Sequence, residues 1–248
     1  LYMKKNWKIV LILSLLGNLA VLYVAAKALE YRSHINEFRD KYLAVVEEFS
    51  CRHVYASENA FLVSDNPVEN RIIFLGTQVT QNWNLRQAFS GYEAINRGVF
   101  GQRVAGFLLR FKADVLDLKP QAVVIEISSY NLRPNNTIRE IKDYVTSMTD
   151  LARYNEIKPI LTTMIPVRAD SAVIAGHESY HLPDSITVYN GWIRQYCAEN
   201  GIDLIDFNRA LADQNGFLPV ALSRAAIDLN ETGYRRISEA TLAVLERR

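Results

Sequence analysis

The sequence predicts an α/β protein: a three-layer α/β/α sandwich around a parallel five-stranded sheet, preceded by an N-terminal transmembrane helix and a helical stalk. From residue 71 onward, short apolar segments alternate with longer segments of helical spacing. Strands that are joined by helices of this length lie parallel, and helices then cover both faces of the sheet. A charge-free apolar run near the N-terminus predicts the membrane helix.

The membrane helix is predicted over residues 9–26, which read IVLILSLLGNLAVLYVAA and carry no formal charge. At about 1.5 Å per residue these residues make a helix of about 27 Å, near the minimum for a bilayer core. Trp7 and Tyr23 lie near its two ends, where aromatic rings favour the interface. Asn18 lies in mid-span and is costly in lipid, so it favours packing against a partner helix.

A cleaved secretory signal peptide is the alternative for this segment, because Lys4, Lys5 and Lys8 form a basic start. Ala26-Lys27-Ala28 is a poor cleavage site, so a retained anchor is favoured. Because basic residues set orientation, residues 1–8 are expected in the cytoplasm. The globular domain is then extracytoplasmic, and periplasmic if the protein is bacterial.

Residues 27–56 are predicted to continue the membrane helix as a stalk. One set of apolar residues steps by three and four, as in an a/d seam: Ala28, Tyr31, Ile35, Phe38, Tyr42, Val45 and Phe49. Such a seam packs either on the protein's own domain or on a partner chain. We expect integral membrane subunits to bind through the transmembrane helix and the stalk, at Asn18, Tyr31, Ile35, Phe38 and Tyr42.

The remaining chain is predicted as a polar linker, residues 57–70, and an α/β domain, residues 71–248. The predicted strands are 71–76, 93–96, 121–128, 159–166 and 202–207. The predicted helices are 104–119, 137–154, 186–200 and 231–247. Ligand sites in such sheets lie at the carboxyl ends of the strands, which places the candidate site in the loops there.

Composition excludes several classes of protein. The 248 residues have 28 basic and 27 acidic side chains, a net charge of +1, which argues against nucleic-acid binding through a broad basic face. Two cysteines exclude a disulfide-built scaffold. Cys51 and Cys197 could pair in an oxidising compartment, although Cys197 on an apolar helix face is more simply a core residue.

The strand-end motifs resemble those of the SGNH/GDSL hydrolases. RIIFLGTQVTQNW resembles the first block of that family, INRGVFGQRVAGFLLRF the second, KPQAVVIEISSYNL the third and IDLNETGYRRIS the last. Between them, VYNGWIRQYCAENGIDLIDF resembles the penultimate helix and strand, so the resemblance covers about residues 70–248. It implies a flavodoxin-like SGNH fold. DltD-like and AlgJ-like members are similar in layout, with such a domain on a membrane-anchored or exported chain.

The family's chemistry requires a serine nucleophile, a histidine base with an aspartate partner, and glycine and asparagine oxyanion donors. The sequence departs at most of these positions: Thr77 and Gln78 replace the Asp-Ser pair, Tyr130 the oxyanion asparagine, Ala225 the aspartate and Asp228 the histidine. Gly101 alone keeps its match. Without a nucleophile and an imidazole, the domain is expected to be catalytically silent.

A relocated active site is the alternative. Thr77, Thr80, Ser128 and Ser129 offer hydroxyls near the missing nucleophile, and His177 and His181 lie in an insert that could approach them. The two histidines could also bind a metal ion if they lay on one helix. No third ligand has suitable spacing, so neither a metal nor a cofactor is expected.

Three functions follow. The first is a catalytically inactive accessory or scaffold subunit of a membrane complex. The second is an extracytoplasmic esterase or O-acyltransferase that acts on polysaccharide or cell-envelope esters with a relocated nucleophile. The third is a glycan-binding module in which Trp83, Tyr92 and Tyr130 stack on sugar rings, although these aromatic residues could equally fill the vacant pocket.

Overall fold

The N-terminal helix is continuous over Tyr2–Ser50 (α1). The computed structural model describes residues 2–132, 138–171, 173–174 and 177–247, and it divides into two compact units, Leu1–Phe49 and Ser50–Arg248. Within α1, Trp7–Arg39 includes a window of mean hydropathy 2.4 and is long and apolar enough to cross a membrane. The predicted stalk is therefore helical, but the helix ends at Ser50 and not at residue 56.

The globular unit alternates strands and helices as predicted. The strands of its large sheet are β1 (Val68–Gly76), β2 (Glu93–Gly98), β3 (Pro120–Ile125), β4 (Lys158–Thr162) and β7 (Asp203–Ile205). A short hairpin contains β5 (Val173–Ile174) and β6 (His177–His181). The helices are α2 (Ala56–Leu62), α3 (Gln78–Gln81), α4 (Leu85–Ala88), α5 (Val104–Asp114), α6 (Ile138–Tyr154), α7 (Leu182–Asn200), α8 (Phe207–Leu211) and α9 (Glu231–Leu245).

The large sheet confirms the predicted parallel topology. In the described residues its five strands follow the order β2-β1-β3-β4-β7, and each neighbouring pair is parallel. Leu75 of β1 is in register with Ile125 of β3, and Gly76 is in register with Gly98 of β2. The carboxyl ends of these three strands therefore meet at one edge, where α/β sheets carry their ligand sites.

Alternation along the strands builds a core on each face of the sheet. Ile73, Leu75 and Ile125 join one buried cluster with helices α5, α6 and α7, while Ile72 and Phe74 join the other with α3, α4, α8 and α9. Successive side chains of a strand point to opposite faces, so apolar runs such as IIFL fill both cores. This arrangement is the predicted three-layer sandwich.

Two segments differ from the prediction. Residues 57–70 contain most of helix α2 and the start of β1. Asn59 of α2 is buried in a polar network: its amide donates to Asp114 Oδ1 (2.5 Å), and its oxygen accepts from Arg97 Nε (3.0 Å). These bonds hold the segment against the domain. His177 and His181 lie at opposite ends of strand β6, not one turn apart on a helix. The His177 side chain lies outside the described residues.

Among the described residues, neither Cys51 nor Cys197 forms a disulfide. Cys197 lies on α7, is 2% exposed and belongs to the core that α5, α6 and α7 cover. Its burial raises the pKa of the thiol to about 12. The interpretation of Cys197 as a core residue is thus confirmed.

Candidate functional site at the carboxyl ends of the strands

A buried carboxyl group occupies the corner between β1 and β3. Glu126 follows the last residue of β3 and, by strand alternation, points to the face that carries α3. Its Oε2 accepts hydrogen bonds from the Thr77 backbone N–H (2.7 Å), Thr77 Oγ1 (2.9 Å) and Thr80 Oγ1 (3.1 Å). We call these three residues, Thr77, Thr80 and Glu126, the corner cluster.

The corner cluster is closed to solvent. Thr77 is 0% exposed, Thr80 1% and Glu126 3%. Burial raises the pKa of Glu126 above its ordinary 4.5, although the hydrogen bonds from Thr77 and Thr80 act in the opposite direction. Both threonine hydroxyls are thus held by a buried acid, and neither is presented to a substrate.

Gly76 is required for this packing. A Cβ at Gly76 would lie 2.0 Å from Thr80 Oγ1 and 2.5 Å from Glu126 Oε2. These distances are far below van der Waals contact, so the glycine of the first block here makes room for the carboxyl group.

The nucleophile position is also buried. Gln78 is the first residue of α3 and is 4% exposed. Its amide has no nucleophilic oxygen of the kind that covalent catalysis uses, whatever its orientation. The structure therefore places no attacking group where the sequence comparison locates the serine.

The oxyanion position carries Tyr130, which is half-buried. Asn131, one place further on, is 0% exposed, and its Oδ1 accepts from the Val104 backbone N–H (2.8 Å) at the start of α5. Its side-chain oxygen therefore caps helix α5, and its amide group donates to the Ser128 carbonyl (3.4 Å). Because the side chain is fully buried, it is not presented to a substrate as an oxyanion donor. Ser128 is also 0% exposed, and its hydroxyl accepts from the Tyr130 backbone N–H (3.3 Å).

The second-block turn is intact. Asn96 Oδ1 accepts from the Gly98 N–H (2.8 Å), and the Asn96 amide donates to the Thr80 carbonyl (2.7 Å), so the turn is bonded to α3. Gly101 has φ +69°, a left-handed conformation that favours glycine. The residue that matches the family's oxyanion glycine thus has a backbone conformation that favours glycine.

The acid–base position holds no imidazole. Ala225 is exposed and Asp228 half-buried, in a turn where the Arg224 N–H donates to the Asp228 carbonyl (2.8 Å). His181 Nδ1 lies 3.1 Å from Asp184 Oδ1, and the His181 side chain is 46% exposed. The described contact of His181 is thus with Asp184, in the first turn of α7.

A small apolar cavity remains beside these positions. It has a volume of about 190 Å³ and is lined by Ser129, Tyr130, Leu132, Val167, Ser171, Leu182, Ala226 and Ile227. The cavity lies between the loop that follows β3 and the loop that precedes α9. The described residues of its lining include no carboxylate or imidazole, so this part of the cavity has the character of a binding recess.

The predicted sugar-stacking aromatic residues are mostly part of the core. Trp83 is 5% exposed, and its ring packs edge-on against Phe74 and Phe89, with ring centroids 5.5 Å and 5.3 Å apart. Its Nε1 donates to Ser238 Oγ (3.0 Å). Tyr92 packs partly buried on the same core, and only Tyr130 borders the cavity. Of the two alternatives for Trp83, filling the pocket fits its burial better than sugar stacking, although it also lines a cavity of about 410 Å³ with Asn82 and Tyr234.

Among the described residues, no group of three or more His, Cys, Asp or Glu side chains could hold a metal ion. The sequence interpretation missed Glu126, because it counted this residue as part of the strand 121–128. The signal was a single acidic residue in the otherwise apolar run AVVIEI, at the carboxyl end of the central strand.

The fold and the strand-end blocks define an SGNH-type α/β domain, and the comparisons with known proteins agree. The model of the GDSL-like Lipase/Acylhydrolase family matches residues 74–236, so the chain belongs to this family. A GDSL-like lipase from Bacteroides thetaiotaomicron is 27% identical, with a TM-score of 0.71 over 80% of this chain and 98% of its own. A candidate acylhydrolase from Bacteroides fragilis is 27% identical, with a TM-score of 0.68 over 77% and 94%.

A curated relative is the uncharacterised lipoprotein YqeF of Bacillus subtilis, which is 29% identical over 96 residues. The match spans 36% of this chain and 37% of YqeF, little more than a third of that protein. A lipoprotein relative and an apolar N-terminal helix are both compatible with attachment to a membrane.

Proposed function

We propose that the chain is a membrane-tethered, non-hydrolytic member of the GDSL-like family that acts as an accessory or scaffold subunit of a membrane complex. Helix α1 is the anchor, the N-terminus is cytoplasmic and the globular unit is extracytoplasmic. The apolar span of α1 and the lipoprotein relative support the anchoring. The partners proposed are integral membrane proteins that contact α1.

The closed corner cluster carries the catalytic part of this proposal. A hydrolase needs a solvent-accessible nucleophile beside a base. Here Gln78 stands at the nucleophile position, and the neighbouring hydroxyls of Thr77 and Thr80 both donate to buried Glu126. In the corner cluster the threonine hydroxyls are buried and hydrogen-bonded to the carboxyl group, which stabilises the fold. They are therefore not available to attack a substrate.

The loss at the other positions is consistent with this. A carboxylate is a much weaker base towards an alcohol than an imidazole, so Asp228 does not replace a histidine. Removing a nucleophile and its base typically costs about a million-fold in rate. The remaining glycine geometry at Gly101 would not compensate for that loss.

An esterase or O-acyltransferase with a relocated nucleophile is the second candidate, supported by the likeness to a GDSL-like lipase. The burial of Thr77, Thr80 and Ser128 weighs against it. A glycan-binding module is the third, with Tyr130 at the rim of the 190 Å³ cavity as its best residue.

The direct test uses the full chain in mild detergent with p-nitrophenyl acetate and a fluorophosphonate probe, beside a working GDSL-like lipase. We expect no turnover above buffer and no labelling of the chain. Turnover that disappears in Thr77→Ala or His181→Ala, but persists in the exposed control Thr187→Ala, would overturn the proposal.

The subunit role has a separate test. The chain is purified from native membranes in mild detergent and its mass is measured by light scattering. We expect it to elute with other membrane proteins. A single protomer under every gentle condition would contradict the accessory role. Glycan binding that is lost in Tyr130→Ala would favour the third candidate.

A further inference from the structure

The stalk part of α1 presents an apolar stripe to solvent. Tyr31, Ile35, Phe38 and Tyr42 are 66%, 67%, 73% and 60% exposed. They occupy successive d and a positions of the heptad seam, so they share one face of the helix. Four large apolar side chains in one exposed line are typical of a helix that binds another helix.

The charges beside this stripe are sorted by sign. We number the heptad with Ala28 at an a position. The e and g positions that flank the stripe from residue 27 to residue 41 then hold only lysine, arginine and histidine: Lys27, Arg32, His34, Arg39 and Lys41. The acids of the same stretch, Glu30, Glu37 and Asp40, occupy c and f positions on the outer face. Beyond residue 41 the flanks hold Val46 and Glu48.

This pattern argues against a second copy of the chain as the occupant. Two copies anchored in one membrane by the same N-terminal helix run parallel, and a parallel pair places each g residue beside the following e residue of its partner. Lys27 would then face Arg32, and the two-fold symmetry of the pair repeats this contact. Like charges at these positions oppose pairing.

The ion pairs within the helix do not prevent its lysines from binding acidic residues of a partner. Lys27 Nζ lies 2.7 Å from Glu30 Oε2, and Lys41 Nζ lies 2.7 Å from Glu37 Oε1. Both pairs are exposed, and such pairs contribute little, so the lysines can exchange them for acids of a partner. Arg32 and Arg39 lie on the same side of the stripe as each other, at successive e positions.

The membrane surface is a poorer occupant for the same stripe. A basic amphipathic helix can lie flat at the interface. Here, however, the stripe belongs to the helix that contains the apolar span, and α1 is unbroken from Tyr2 to Ser50. A helix that crosses the bilayer does not also lie flat on it without a break.

We infer that the stalk stripe, Tyr31, Ile35, Phe38 and Tyr42 with its basic flanks, binds a helix of a different protein whose own apolar seam is flanked by Asp and Glu. Apolar contacts supply the association, and the charges select the partner. The inference rests on the membrane-tethered part of the proposed function and not on its catalytic part, so an ester-hydrolysis result leaves it unchanged.

The test uses the full chain in lipid nanodiscs and two designed helical peptides with the same Ile/Leu seam. One peptide has Glu at every e and g position, and the other has Lys there. We expect the acidic peptide to bind about tenfold or more tightly than the basic one in fluorescence anisotropy, with a difference that shrinks as salt rises. Equal binding of the two peptides would overturn the inference.

Matched variants identify the residues responsible. Arg32→Gln with Arg39→Gln should remove the preference for the acidic peptide, whereas Ser33→Glu with Asn36→Glu, an equal change in net charge on the outer face, should keep it. Phe38→Asp should abolish binding of both peptides. Circular dichroism confirms that each variant stays helical.

Two other outcomes would also overturn the inference. The first is self-association of the chain through a Tyr42→Cys crosslink in a Cys51→Ser background. The second is a fluorophore at Phe38→Cys that reports burial in anionic-lipid nanodiscs without any peptide.

Discussion

At the scale of single residues, Glu126 determines the character of the candidate site. One carboxyl group accepts the backbone N–H of Thr77 and two threonine hydroxyls, and the packing requires glycine at position 76. A buried acid without such donors would cost several kcal/mol, so the donors and the acid depend on one another. The corner cluster is thus a polar structural element on the face of the sheet that carries α3, α4, α8 and α9.

This residue also gives a pH dependence. Because the pKa of Glu126 is raised in the folded state, folding favours its protonated form. Its contribution to stability is therefore complete below the unfolded-state pKa, near 4.5, and is lost as pH rises through the folded-state pKa. We expect the difference in melting temperature, Glu126→Gln minus native, to increase as pH rises from about 4.5 to 8.

The measurement is thermal unfolding in detergent followed by tryptophan fluorescence, to which buried Trp83 contributes. Glu239→Gln, an exposed change on α9, is the control and should follow the native curve. Parallel curves for Glu126→Gln and the native chain would show that Glu126 has no raised pKa.

At the scale of elements, the sequence was most informative where periodicity and strand-end motifs coincide. The parallel sheet and the helices on both of its faces were predicted from apolar runs such as IIFL and AVVI and from the spacing of Phe107 and Phe111. The strand order β2-β1-β3-β4-β7 comes from the structure. Segment 57–70 was misread because its polar residues suggested solvent, whereas Asn59 is buried by partners far along the chain. Such long-range pairing leaves no local pattern.

The same limit applies to the candidate site. The substitutions at positions 77, 78, 130, 225 and 228 could be read from the motifs alone. The bonding of Thr77 and Thr80 to Glu126 could not, because it joins residues 46 to 49 positions apart. Asn131 was considered near the oxyanion position, and only the structure shows that it caps α5.

The buried network around α5 should dominate the stability of its neighbours. Arg110 donates to Gln102 (2.7 Å), Asp114 (2.6 Å) and the Arg97 carbonyl (2.8 Å), and its side chain is 0% exposed. We expect Arg110→Met to lower the free energy of unfolding by about 3–5 kcal/mol, because Asp114 loses its cation while buried.

Denaturant unfolding measures that loss, and hydrogen exchange should rise first in α2, which the network holds through Asn59. The exposed control Arg235→Met should change stability by less than about 0.5 kcal/mol. A similar small change in Arg110→Met would contradict the network's role.

At the scale of the whole molecule, a long apolar helix precedes an α/β domain of the GDSL-like family. If the helix anchors the chain as proposed, Cys51, one residue beyond α1, lies on the same side of the membrane as the domain. Cys197 is buried, and its thiol has a pKa of about 12, so it should react slowly with maleimides.

We therefore expect a membrane-impermeant maleimide to label the chain in intact bacterial spheroplasts, and Cys51→Ser to remove most of that label. Labelling that appears only after lysis would place the domain in the cytoplasm and reverse the proposed orientation.

The tight fit at Gly76 also has a consequence for restoring hydrolysis, if the chain is non-hydrolytic as proposed. A serine placed at position 78 would follow a residue, Thr77, whose backbone N–H and hydroxyl both bond to Glu126. Tyr130, Ala225 and Asp228 would still occupy the positions of the oxyanion donor and the acid–base pair. One substitution would therefore leave an isolated hydroxyl without a base, and new functions would arise more readily on the outer surface of the domain than in its closed corner.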